Sequence, residues 1–260
     1  MKRDDLPLAV RGAAAWSLDA AAPAGTQVWS EIPFAQAMES TAFPALLFVF
    51  LPAGSATPYE VQRDAEAWAL VGGSNSLHLD LLFRSDRVIW SAQRVLVIGA
   101  VDRLAEVKAA VELFTRAESE LRAIEQAAGD TLRCAEGDVT LTHSVKAGDL
   151  RQQRRVGALT ESAHLTRIRL TRLETLLVQP GHALPGAARR MLAEMTQQAE
   201  FADRMRAVDE QIEVAQDIYD TVNDRLTEFS HFLREYRVEI LIVVILALEA
   251  ALVIWDMFSR

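Results

Sequence analysis

The sequence predicts an α+β fold: an N-terminal mixed domain, then a long antiparallel helical hairpin with coiled-coil character that ends in a C-terminal transmembrane helix. Three observations carry this. Between residues 41 and 145, short apolar runs bounded by Pro, Gly and Asp alternate with helix-period stretches, the mixture expected of strands and helices sharing one core. From about Lys146 the period becomes helical and stays so, and from Phe201 apolar residues recur at alternating steps of four and three. Finally, Val238 to Phe258 is apolar apart from Glu239, Glu249 and Asp256, about 21 residues or roughly 31 Å as a helix.

Residues 1 to 40 are the least patterned. Asp, Arg and Pro break MKRDDLPLAVRGAAAWSLDAAAPAG before any hydrophobic region forms, so it does not read as a secretory signal, and its Ala, Pro and Gly suggest a loose lead-in. TAFPALLFVFLPAG (41–54) is a buried strand between Pro and Gly. PYEVQRDAEAWALVGG places Val61, Ala65, Trp68 and Ala69 on one helical face and stops at Gly72 and Gly73. LHLDLLF (77–83) alternates as a half-buried strand, Arg84, Ser85 and Asp86 form a turn, and VIWSAQRVLVIGA supplies another strand. DRLAEVKAAVELFTRAESELRAIEQAA is a helix that stops at Gly129, and TLRCAEGDVTLTHSV closes the domain as a hairpin or strand. The order strand, helix, strand, strand, helix, strand is that of a four-stranded, ferredoxin-like split βαβ unit, unless the second helix belongs to the helical half.

The hairpin occupies 146–237. Its first arm, about 150 to 178, carries Ala163, Thr166, Leu170, Leu173 and Leu177 on one face, and PGHALPG (180–186) interrupts it. The second arm carries a heptad seam of Phe201, Met205, Val208, Ile212, Ala215, Tyr219, Val222, Leu226, Phe229, Leu233, Tyr236 and Ile240. Tyr219, Phe229 and Tyr236 are large for a parallel dimer seam, so packing inside a bundle is expected as well. Charge supports an intrachain partner: residues 146 to 190 hold nine bases against three acids, whereas 194 to 239 hold twelve acids against five arginines. Each exposed pair adds only a few tenths of a kcal/mol, so apolar packing holds the hairpin and charge selects the pairing.

The span, 238–258, reads as a tail anchor. Arg225, Arg234 and Arg237 precede it and only Arg260 follows, which places the N-terminal part on the cytoplasmic side. An Ala- and Arg-rich chain without a transit peptide points to a bacterial inner membrane, with the mitochondrial inner membrane as the eukaryotic equivalent. Glu249 is the anomaly within the span. Such an acid either turns inward in a homo-oligomer or serves an assembly that conducts ions or protons.

Composition excludes several classes. Half of the residues are apolar and 24% are charged, so the chain is neither disordered nor collagenous. Cys134 is the single cysteine, which excludes an internal disulfide and a Cys-ligated zinc, and it reads as a small core residue. A net charge of −9 gives no overall surplus to draw the chain onto nucleic acid or anionic lipid, so any such site must be local. His78, His143, His164, His182 and His231 show no metal-ligand spacing, and Gly72 to Ser76 lacks the ending of a phosphate loop. No Gly-x-Ser-x-Gly elbow is present, and no catalytic constellation or cofactor site emerges. One local basic face remains: Arg151, Arg154, Arg155, Arg167, Arg169 and Arg172 either pair with the acidic arm or grip RNA phosphates.

The stretch AEFADRMRAVDEQIEVAQDIYDTVNDRLTEFSHFLREYRVEILIVVILALE resembles the Rmd/YagE-like family of tail-anchored membrane proteins, which includes sporulation-related and meiotic-nuclear-division-related members. Asp209, Glu210 and Gln211, the run from Tyr219 to Leu226, the approach to Glu239 and Ile240, and Glu249 carry the likeness. The resemblance implies a tail-anchored protein with an α+β N-terminal domain, no catalytic residues and large homo-oligomers, and in mitochondrial relatives support of translation. The expectation is therefore a self-associating membrane scaffold or tether that is not an enzyme. The alternatives are conduction through Glu249 and a membrane-tethered RNA- or ribosome-associated role through the arginine face.

Overall fold

The computed structural model describes residues 13–18, 29–39, 46–53, 59–70, 77–179 and 184–259. The lead-in before residue 13, the Gly72 and Gly73 stop with the turn through Ser76, and residues 180–183 of the proline turn lie outside them. The chain divides into two compact units, residues 1–122 with 173–205, and residues 123–172 with 206–260.

The first unit is built on six strands: β1 (Ala14–Leu18), β2 (Trp29–Ile32), β3 (Leu46–Pro52), β4 (Leu79–Phe83), β5 (Asp86–Trp90) and β6 (Arg94–Gly99). They form one mixed sheet in the order β2-β1-β3-β6-β5-β4, in which β3 and β6 run parallel and the other neighbours antiparallel. The α+β class stands, but the four-stranded ferredoxin-like arrangement does not. Residues 14–18 and 29–32, expected to be loose, pair as a hairpin against β3, with Trp16 opposite Phe48 and Leu18 opposite Leu46. The run VIWSAQRVLVIGA is two strands rather than one, because the chain reverses at Ser91 to Arg94. There the Ser91 N–H donates to the Arg94 carbonyl at 2.7 Å, and the Ser91 hydroxyl donates to the same carbonyl at 3.1 Å.

Burial on both faces explains the uniformly apolar β3, whose residues 46 to 51 are all buried. Leu47, Val49 and Leu51 join Ala37 of α1 (Phe34–Glu39) and Ala65, Trp68 and Ala69 of α2 (Tyr59–Leu70) in one core. The four α2 residues predicted to face inward are the four that do. The opposite face meets α3 (Leu104–Asp138), where the Trp90 ring lies 4.9 Å from that of Phe114 and its indole N–H donates to the Thr115 hydroxyl at 2.9 Å. On the same helix the buried Glu118 carboxylate accepts from Arg122 at 2.5 Å and from Arg204 at 2.7 Å.

Helix α3 continues past Gly129 to Asp138, where the sequence reading has a stop followed by a hairpin or strand. Its inward face runs on through Leu121, Ile124, Ala128, Thr131, Ala135 and Asp138. Packing along such a face outweighs the roughly 1 kcal/mol that a mid-helix glycine costs. Cys134, expected in the core, is exposed on this helix.

The helical half contains α4 (Gln153–Val178), α5 (Gly186–Gln198) and α6 (Phe201–Ser259). A left-handed residue, Glu200 at φ 54°, separates the last two. In the second unit, Ala135 and Leu141 pack with Val156 of α4 and with Ala215, Tyr219, Val222 and Leu226 of α6. The Asn223 amide donates to the Thr160 hydroxyl at 2.9 Å and Arg167 donates to Gln216 at 2.9 Å, so numbers rise along α6 as they fall along α4. The two helices are antiparallel, as the charge pattern anticipates.

Among the described residues no helix is long and apolar enough to cross a membrane. This corrects the expectation of a transmembrane helix over 238–258, and with it the single-pass C-terminal anchor in a bacterial or mitochondrial inner membrane. Residues 238–258 are the end of α6 and not a separate element. Arg234, Glu235, Arg237 and Glu239 crowd its start and Glu249 interrupts it, leaving Ile240 to Leu248 as the uncharged run. At 1.5 Å per residue that run is about 14 Å long, half the roughly 30 Å of a bilayer core.

Candidate self-association surface

The seam of α6 has two environments. Val208, Ile212, Tyr219, Val222 and Leu226 are buried against their own chain, and Met205 is half-buried. Phe229 and Leu233 are half-buried, whereas Tyr236 is 52% and Ile240 45% exposed. The periodic pattern thus continues for several turns beyond the neighbours that cover it.

A polar cluster closes the covered part. The Asp138 carboxylate accepts from Arg155 at 2.5 Å through Oδ1 and from the Tyr219 hydroxyl at 3.4 Å through Oδ2. Burial, reinforced by the Asp138 charge, holds the Tyr219 phenol well above its ordinary pKa. Arg167 pairs with Asp209 at 3.5 Å, and the Gln216 amide that accepts from Arg167 also contacts His164 at 3.0 Å. Of the predicted arginine face, Arg155 and Arg167 are therefore bound to the chain itself, Arg169 is half-buried, and Arg151, Arg154 and Arg172 are exposed. The acid that holds Arg155 lies on α3 and not on the acidic arm, a pairing invisible while TLRCAEGDVTLTHSV reads as a hairpin or strand.

Beyond Leu226 the surface turns aromatic. The rings of Phe229 and Phe232 lie 6.4 Å apart, and those of Phe232 and Tyr236 also 6.4 Å, nearly parallel at 11°. An open cleft of about 300 Å³ beside them is lined by His143, Val145, Arg225, Glu228, Phe229 and Phe232. The Arg225 guanidinium and the Glu228 carboxylate pair across its rim at 3.2 Å. Phe232 lies off the heptad seam, three residues after Phe229 and four before Tyr236. Helical spacing alone marks it as their neighbour.

From Val238 to Leu252 the helix is apolar apart from Glu239 and Glu249, and it is exposed around its circumference. Ile240, Leu241, Ile242, Val243, Val244, Ile245, Leu246, Leu248 and Leu252 are between 45% and 64% exposed, and Glu249 is exposed among them. Together these side chains make one contiguous exposed apolar surface. A comparison with protein-family models and one with curated proteins find no match to this chain.

Proposed function

We propose that the chain is a non-catalytic scaffold that self-associates through the end of α6. The observation that carries this is the exposed apolar circumference from Val238 to Leu252. A helix that is hydrophobic all round is stable in water only when its whole surface is covered, and each buried Leu, Ile or Val side chain contributes about 1.5 to 3 kcal/mol. A second copy is the occupant the pattern favours, because the heptad of the covered stalk runs on through Tyr236, Ile240, Val243 and Ala247. A two-stranded coil would cover that seam and leave Leu241, Ile245, Leu248 and Leu252 in water on the other face. The reading therefore favours an assembly larger than a dimer.

Sedimentation velocity at micromolar concentration tests it, comparing the full chain with a truncation that ends at Arg234. The expected result is a discrete oligomer above the dimer for the full chain and a monomer for the truncation. A full chain that sediments as a monomer would refute the proposal.

A further inference from the structure

A second feature lies in the sheet unit, away from α6. Lys108, on the first turns of α3, reaches the edge of the sheet and places its ammonium among three aromatic rings. Its Nζ is 3.9 Å from the centre of the Trp16 ring, 4.8 Å from that of Trp29 and 6.0 Å from that of Phe48. The rings brace one another, Trp16 edge-on to Phe48 at 5.8 Å and Trp29 edge-on to Phe48 at 5.5 Å. Sheet register brings them together: Trp16 stands opposite Phe48, and Trp29 opposite Leu18 on the same face. The Trp29 indole N–H is fixed by Glu112 at 3.0 Å, and Arg116 holds Glu112 in turn at 2.5 Å.

This surrounding suits a cation without N–H groups better than the primary ammonium it holds. Among the described residues no acceptor lies within hydrogen-bonding distance of the Lys108 Nζ, whose contacts are with ring faces. Burial pulls the Lys108 ammonium below its ordinary pKa, opposed by the charges of Glu112 and Glu31, so the site takes water from the cation without returning hydrogen bonds. Ring faces with nearby carboxylates are the arrangement that recognises N-methylated ammonium groups, which have fewer or no N–H bonds to lose.

We propose that Trp16, Trp29 and Phe48 form a binding cage for an N-methylated ammonium, and that Lys108 occupies it in the unmodified chain. Two sources share this chemistry: methylation of Lys108 itself, or a free quaternary ammonium compound that displaces it. The test titrates the full chain with choline and with 3,3-dimethylbutanol, its neutral isostere, following tryptophan fluorescence. Wild type, Lys108→Ala and the double variant Lys108→Ala with Trp16→Ala are compared, and circular dichroism verifies folding. Intact-mass and peptide analysis of protein isolated from its own cells reports methylation at Lys108 and requires no variant.

Lys108→Ala is expected to bind choline saturably, at least tenfold more tightly than the neutral isostere, and loss of the Trp16 ring is expected to weaken binding about tenfold. Wild type that binds choline identifies the free compound as the source. Wild type that does not, but carries methyl groups on Lys108, identifies the modified lysine. A folded Lys108→Ala without preference for the cation overturns the cage, as does wild type that neither binds choline nor carries methylation.

Discussion

Gly99 and Asp86 are predicted to be thermodynamically coupled, and their geometry sets the size of the effect. A Cβ added at Gly99 would run into Asp86 Oδ1 and lie 2.8 Å from its Cγ. The carboxylate is only 2% exposed and cannot simply move aside. It accepts the Ala100 N–H at 3.1 Å and pairs with Arg103 at 2.9 Å. Gly99→Ala must therefore drive the carboxylate off its partners, an overpacking penalty of about 2 to 3 kcal/mol. Asp86→Ala removes both interactions and leaves the Ala100 N–H without its acceptor. Arg103, whose side chain is 20% exposed, can turn toward water, which keeps the loss to about 2 to 4 kcal/mol. In the double variant the added methyl meets no carboxylate and only the Cβ retained at residue 86, 3.2 Å away, so its stability should lie within about 0.5 kcal/mol of that of Asp86→Ala alone. The coupling energy is then about 2 to 3 kcal/mol. Urea unfolding followed by tryptophan fluorescence of the sheet unit measures all four corners of the cycle. Costs that add to within about 0.5 kcal/mol would refute the argument, because they would mean that the methyl never met the carboxylate.

Three further outcomes are expected. Tyr219→Phe should lower stability by only about 0.5 to 1 kcal/mol in chemical denaturation, since its hydrogen bond to Asp138 is long at 3.4 Å, whereas Tyr219→Ala empties a fully buried ring position and should cost about 3 to 5 kcal/mol. The hydrogen bond from Arg87 holds the Asp80 carboxyl below its ordinary value of 3.8, so its contribution is complete above that value and fades as pH falls through the lower folded one. Because the two side chains are 52% and 36% exposed, Asp80→Asn should flatten the acid limb of a stability profile by less than about 1 kcal/mol, and an unchanged profile would remove the pair from the account. Arg84 sits at φ 58° in the two-residue turn between β4 and β5 while Ser85 keeps a negative φ, the pattern that calls for glycine at the first central position, so Arg84→Gly should raise the unfolding midpoint, by about 0.5 to 1 kcal/mol of stability.

Elements with a strong one-dimensional pattern were legible from the chain alone. The α2 face was read correctly because its burial is a local helical property: Val61, Ala65, Trp68 and Ala69 meet the sheet whatever the strand order. The α6 seam through Leu226 was legible for the same reason, and the complementary charges of the two arms anticipated their antiparallel pairing. The apolar end of α6 was legible as apolar. Its length between charges was misjudged, because hydropathy averaged over 21 residues absorbs Glu239, Glu249 and Asp256.

Tertiary structure decided everything that depends on a distant partner. The segments AAWSL and WSEI carry weak strand propensity and become β1 and β2 only because β3 supplies a ladder for them. Helix α3 passes Gly129 because the helices of the second unit pack on Ala135, while Thr131 and Asp138 are buried on the same face, residues that leave little hydrophobic signal in a sequence. The Lys108 cage draws on α3 and on three strands, from Trp16 to Lys108 in the chain, and no spacing rule connects those positions. Local periodicity is written residue by residue into the chain, whereas strand pairing, helix length across a glycine and the meeting of remote side chains are set by which surfaces become buried together.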